Sequence, residues 1–273
     1  VVGNTEVDAP SLMELCNSAT TQILVEQTET NWYPCNPSIA QGPDGYAAIV
    51  TFRNIYRHTG TTQTIHDPNG YIHTRNFFAQ LSPDTLHAVE PWRELAGPST
   101  PIHFASVQGI EDPRLYWHNG WRYTGTILQH HASGEHRVAV CDVEHGLLEI
   151  REASAGTIIK NQMPTGGEPE FIDAKACEDR LHGGAVVRNE NGYIGIVHEV
   201  RWPGRVYVHR LARFDRTGKL LSESRPFKLS TEPIDFASGI VLHKDDLVIS
   251  FGVMDRQALL VRIPFGESKG LFA

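Results

Sequence analysis

No apolar run in this sequence nears the about 18 residues that a membrane-spanning helix needs. Nor does the stretch Val1-Val2-Gly3-Asn4 carry a basic-then-apolar leader, so neither a membrane partner nor a secretion signal is expected. The four cysteines, Cys16, Cys35, Cys141 and Cys177, lie far apart with no C-x-x-C pair. That argues against a disulfide framework or a zinc finger and makes a reduced, cytoplasmic setting the default. Histidine is plentiful at fourteen residues, yet there is no H-E-x-x-H and His130-His131 is adjacent rather than four apart, so no metal site is expected. A Gly-rich nucleotide-phosphate loop is missing too. Basic charge is scarce: 24 Lys and Arg stand against 32 Asp and Glu, a net charge of −8, which is the opposite of a nucleic-acid footprint. Arg201, Arg205, Arg210, Arg213 and Arg216 cluster locally, but they alternate with acids and apolar residues as on strand faces. Helical patterning is nearly absent, and only Ser11 to Ala19, after Pro10, carries the start signal of a short helix.

What the chain has instead is a recurring hairpin. Ser38-Ile39-Ala40 and Tyr46 to Arg53 flank Gly42-Pro43-Asp44-Gly45, and Arg114 to Trp117 and Trp121 to Thr126 flank His118-Asn119-Gly120. Gly184 to Val187 and Tyr193 to His198 flank a third turn at 188–192, and Ser238 to Leu242 and Leu247 to Gly252 a fourth at 243–246. Short apolar runs around Asn, Gly and Asp turns are hairpin signals. Further strands follow three of the copies, at 137–141, 206–214 and 258–263. Units of roughly 50 to 70 residues with about four strands each are the signature of a β-propeller, and at roughly 50 residues per blade the chain holds about five. The expectation is therefore an all-β, five-bladed β-propeller over 1–273 as a single domain, with residues 1–30 completing the last blade; a two-sheet sandwich is the rival.

In a propeller the innermost strand of each blade runs along the central channel, so the polar residues at its entry converge on one mouth. Those entries are Asn36-Pro37-Ser38, Glu111-Asp112-Pro113-Arg114, His182-Gly183-Gly184 and Asp235 to Gly239; the second strands end in Arg53-Asn54, His198-Glu199 and Asp255-Arg256. In an extended segment Glu111 and Asp112 point to opposite faces, one to a cavity and the other to the scaffold. Pro113 suits a cavity rim better than a ladder interior. Taken alone, the same four residues also describe a surface turn with an Asp-Arg pair.

With the repeated hairpins, Gly109 to Arg114, Asn36-Pro37-Ser38-Ile39, Arg53-Asn54, His182-Gly183-Gly184, His198-Glu199 and the tail 236–255 resemble the five-bladed propellers of glycoside hydrolase family 130 and glycosyltransferase family 108. The resemblance spans roughly residues 34 to 265. It implies an inverting reaction on β-mannosides with Asp112 as general acid, a carbohydrate substrate, and no cofactor beyond inorganic phosphate or an activated sugar as co-substrate. Glu111 is expected to hold Arg114 or a neighbouring blade. If phosphate attacks, one carboxylic acid and a cationic pocket suffice; if water attacks, a second carboxylate must stand roughly 6.5 to 9.5 Å away as base. Candidate cations are Arg53, Arg75, Arg114, Lys160, His198 and Arg210, and candidate bases are Glu168, Glu170 and Glu199. Arg75-Asn76 and Lys160-Asn161 read as pairs that bind sugar hydroxyls or phosphate. Asn36, Asn54, His182 and Asp255 complete the expected site. Trp32, Tyr33, Trp117, Trp121 and Trp202 are candidate sugar-stacking rings, with core packing favoured for Trp117 and Trp121. Phosphorolysis or transfer ranks above hydrolysis. A non-catalytic glycan-binding propeller is the alternative from another class, and the tail also resembles propeller modules attached to bacterial glycosyltransferases, which adds a glycosyltransferase partner to self-association as a mode of assembly.

Overall fold

The structure, a computed structural model, describes residues 9–27, 29–59, 62–151, 162–168, 170–173 and 182–272. Helix is as scarce as the sequence suggests. Where a helix over 11–19 is expected, α1 (Leu12–Leu15) makes a single turn, started by a capping box between Ser11 and Glu14; such a box satisfies two orphan donors at the helix start.

Strands fill the rest. β1 (Thr20–Val25) is followed by a first sheet of β2 (Tyr33–Gly42), β3 (Gly45–Arg53), β6 (Ile72–Leu81), β7 (Arg93–Glu94) and β8 (Val107–Gln108), from which the hairpin β4 (Ile55–Thr59) and β5 (Thr62–Ile65) projects. A second sheet runs β9 (Ile110–Trp117), β10 (Trp121–Ile127), β11 (Arg137–Asp142) and β12 (Gly146–Arg151). The short pair β13 (Gln162–Pro164) and β14 (Phe171–Asp173) comes next. A third sheet holds β15 (His182–Asn189), β16 (Gly192–Arg201), β17 (Val206–Phe214) and β18 (Leu220–Glu223). In the fourth, β19 (Asp235–His243), β20 (Asp246–Val253) and β21 (Gln257–Pro264) are joined by β1, which pairs antiparallel with β21. A last turn of helix, α2 (Phe265–Gly270), packs on β21.

The molecule is a β-propeller. Against the five blades read from length, four sheets of blade size stand among the described residues, and the two-stranded β13–β14 sheet lies between the second and third of them in the chain. The first strands form a ring in space: β2 packs against β9 and β19, β15 against β19, and β13 against both β9 and β15. Apolar runs such as Ala47-Ala48-Ile49-Val50 are buried throughout, because each sheet is covered on both faces. The core is accordingly split into layers between sheets: Ile49, Leu115 and Tyr123 fill one between the first two, while Ile196, Ile240 and Phe251 fill one between the last two.

All four inner strands carry a β-bulge where they face the second strand of their sheet. The register shifts fall at Asn36-Pro37 in β2, Asp112-Pro113 in β9, Gly184 in β15 and Ser238 in β19. Bulges release backbone groups from the ladder and re-aim side chains. The released groups here tie blade to blade. Ser238 and Ser250 hydroxyls donate to Pro37 O at 2.8 and 2.7 Å, the Ser38 hydroxyl donates to Ser238 O at 2.8 Å and accepts from Leu115 N at 2.9 Å, and Arg114 donates to Gly184 O at 2.7 Å and Gly183 O at 2.6 Å. At Gly239, beside the last bulge, a Cβ would stand 2.2 Å from Ile39 N, so only glycine allows the two strands this approach.

Candidate active site

The bulges set the floor of a cavity of about 510 Å³ at one mouth of the channel. Asn36 and Asp112 precede prolines, yet both have left-handed backbones, at φ 43° and 50°. Residues before proline favour extended backbone, and left-handed non-glycine residues cost about 1–3 kcal/mol each. The two side chains meet, with Asn36 Nδ2 donating to Asp112 Oδ1 at 2.7 Å. Arg53 Nη2 donates to the same Oδ1 at 3.1 Å and lies 2.9 Å from Glu111 Oε1, while its Nη1 lies 3.2 Å from Asp255 Oδ1. Asp255 reaches the cavity from the β20–β21 turn, where Met254 and Asp255 are both left-handed (φ 53° and 54°).

Alternation along a strand sends Glu111 and Asp112 to opposite faces. The bulge and the left-handed Asp112 overturn that expectation and bring both acids to one guanidinium. Glu111 thus holds Arg53 of the neighbouring sheet. Burial presses Arg53 toward its neutral form, but the carboxylates of Glu111, Asp112 and Asp255 outweigh it and keep Arg53 well above its usual pKa. Burial pushes the Cys35 thiol well above its own usual value, which leaves it unreactive. Burial lowers Arg114, with Asp112 pulling the other way, and its charge is spent on the two carbonyls of β15.

His182 and His198 face each other across β15 and β16 and line the cavity. Asn36, Arg53, Glu111, Asp112, Arg114 and Asp255 line it as well. The other expected residues lie elsewhere. Asn54 is tied to Tyr71 O and His73 N, and Asn76 is buried between Thr51 and Ile110 O. Arg75 pairs with Glu29 and Glu94 over the Trp32 ring. Glu199 pairs with Arg201, and Arg210 donates to Ser224 O. Lys160 and Asn161 fall outside the described residues. Of the candidate bases, Glu168 and Glu170 are exposed, Glu170 bonding Arg151, and none lines the cavity. Trp117 and Trp121 pack edge to face at 5.2 Å beneath the first two sheets. Among the described residues no group of three or more His, Cys, Asp and Glu is placed to hold a metal ion.

Sequence reading missed Tyr207 and Arg205, which line the cavity from the start of β17 and the turn before it. Beneath this wall His209 and Asp235 form a fully buried pair, with Nδ1 3.5 Å from Oδ1. Asp235 Oδ2 accepts from Leu229 N, Ser230 N and the Ser230 hydroxyl. Burial pushes the Asp235 carboxyl up to about 7, against the opposing bonds from Ser230 and Leu229, and pushes the His209 imidazole down to about 3.

The raised Asp235 favours the folded state below about pH 4 and loses that contribution as pH rises through about 7. The lowered His209 favours it above its unfolded value near 6.5 and loses that as pH falls toward 3. The two slopes oppose each other in the parent. Asp235→Asn leaves only the histidine's, so urea unfolding between pH 4 and 6.5 is expected to show stability rising by up to about 1.4 kcal/mol per pH unit more steeply than in the parent; parallel profiles would refute the neutral pair.

No protein-family model matches the chain, and no curated protein does. Solved structures do. A β-1,2-mannobiose phosphorylase from Listeria innocua superimposes with a TM-score of 0.63 at 11% identity, covering 93% of this chain and 99% of that one. This chain has the propeller fold of the mannoside phosphorylases. A member of the GH130 family of mannoside phosphorylases and β-1,2-mannoside hydrolases matches at 0.54 and 13% identity, over 88% of this chain and 91% of that one. A GDP-Man-dependent mannosyltransferase from Leishmania mexicana matches at 0.55 and 13%, over 90% of both chains. The GH130 and glycosyltransferase family 108 type of propeller expected from the E-D-P-R element is thus the fold observed, at identities where only the architecture is shared visibly.

Proposed function

We propose that the protein transfers a mannose-like glycosyl group with inversion, with Asp112 as proton donor to the departing oxygen, and that phosphate or a sugar acceptor rather than water is the second reactant. The observation that carries this reading is Asp112 itself, lifted by a bulge to the cavity floor and held there by its neighbours. Asn36 and Arg53 both donate to Oδ1 and so orient the carboxyl that carries the proton. As the C1–O bond breaks, that proton passes to the leaving oxygen while the nucleophile attacks C1 from the other face. Arg205, His182 and His198 line the cavity and offer hydrogen-bond donors to a phosphate or an activated sugar. The position of Glu168, Glu170 and Glu199 away from the cavity counts against hydrolysis with one of them as base.

The blade number belongs to the same reading. The seat of β13 between β9 and β15 supports β13–β14 as the inner half of a fifth blade in one propeller domain.

The test is incubation with β-1,2-mannobiose, with and without inorganic phosphate, and with GDP-mannose plus mannose. Mannose 1-phosphate formed only with phosphate, or mannoside formed from GDP-mannose, is the expected result. Free mannose alone would make the protein a hydrolase, and binding without any turnover would make it a glycan-binding accessory; either outcome overturns the proposal.

A further inference from the structure

The cavity is two-sided. Its floor is polar and charged, whereas one wall is a continuous run of rings. His182 and His198 lie 5.5 Å apart, His198 and Tyr207 stack at 5.4 Å, and Phe236 meets His198 edge-on at 5.0 Å. At the outer end of this wall, on the β16–β17 turn, stands Trp202, which lines the same cavity. It is 66% exposed, the most exposed large apolar side chain among the described residues. Single exposed apolar residues on open surface need no explanation, but Ile23, Val89 and Leu221 share no cavity with a charged floor. Indole suits a boundary where one face is apolar and the other wet. Arg205 flanks it from the same turn, its guanidinium 5.9 Å from the Tyr207 ring centre and donating to the Tyr207 hydroxyl at 3.5 Å.

A pyranose is two-sided in the same way, with hydroxyls at its edge and C–H groups on its faces. Hydroxyls that leave water must regain hydrogen bonds, which the floor offers, while a C–H face gains by lying on an aromatic ring. On the reading given above, the bond that breaks lies at Asp112 on the floor, so one sugar sits inward of it and the other partner extends to the rim. We infer that Trp202 is the stacking platform for that outer partner, so the protein selects substrates with a second sugar, rather than a small alkyl group, beyond the reacting bond. This inference rests on the carbohydrate reading of the cavity and adds to it a binding residue.

Calorimetric titration without phosphate separates the two. β-1,2-Mannobiose and methyl β-mannoside are titrated into the parent, Trp202→Leu and Trp202→Phe. The leucine variant is expected to bind mannobiose about 10-fold more weakly and methyl mannoside within about 2-fold of the parent, with phenylalanine intermediate. Because Trp202 is exposed, the melting temperature should stay put. Unchanged mannobiose binding, or equal weakening of both ligands, overturns the inference while leaving the carbohydrate reading intact. A parent that binds neither sugar overturns that reading, and the inference with it.

Discussion

Asp112→Asn is expected to fold as the parent does and to turn over a natural mannoside about 10²- to 10⁴-fold more slowly, the usual share of a positioned acid. The amide keeps an oxygen for Asn36 and Arg53 while it removes the transferable proton and one negative charge beside Arg53, so the melting temperature is the control. The loss should depend on the leaving group. A nitrophenyl mannoside departs as a weakly basic anion and needs little protonation, so its rate should fall far less than that of the disaccharide. Equal losses on both substrates, or none on either, would remove Asp112 from the role of acid.

Arg53→Leu should be the most damaging single change in the floor. The Arg53, Glu111 and Asp255 side chains are only 8%, 14% and 9% exposed, and the substitution leaves three carboxylates facing one another without their cation. Removing one partner of a buried ion pair costs about 3–5 kcal/mol, which for a chain of this size lowers the melting temperature by roughly 10 °C. The sign with pH is fixed by the acids: without Arg53, burial and their mutual repulsion favour the protonated forms, so the variant's deficit grows as pH rises and shrinks as the carboxylates take up protons. Thermal scans at pH 7 and pH 5 check this; a deficit that is larger at pH 5 would mean that Arg53 does not hold the three acids together.

The fold was legible because hairpins announce themselves locally. An Asn-Gly turn between two apolar runs says strand, turn, strand, and four such units in order say propeller. Blade count was less legible, since β13–β14 is short and has no apolar run of its own. Convergence at the mouth followed from topology, which is why Asn36, Arg53, Asp112, His182, His198 and Asp255 come together. The residues that stay out fail for a simple reason. Asn54 and Glu199 directly follow the cavity residues Arg53 and His198 and turn away from them, Asn54 to backbone groups and Glu199 to Arg201, while Asn76 lies on β6, third strand of the first sheet, and holds Ile110 O. Strand alternation misled at Glu111-Asp112 because a bulge suspends it. Asn-Pro and Asp-Pro at equivalent places in β2 and β9 were the available hint that it does.

The pairing of β1 with β21 also bears on how the chain reaches this structure. Thr20 finds its partner in Arg262, so the ring closes only when nearly the whole sequence is present, and contacts this far apart in sequence are slow to form. Until then β1 has no sheet to join, while the first and second sheets have all their strands. During synthesis the protein therefore passes through a period as an open arc with β1 as an unpaired strand open to wrong partners, and its yield should be set by protein concentration and chaperone supply more than by the stability of the finished ring.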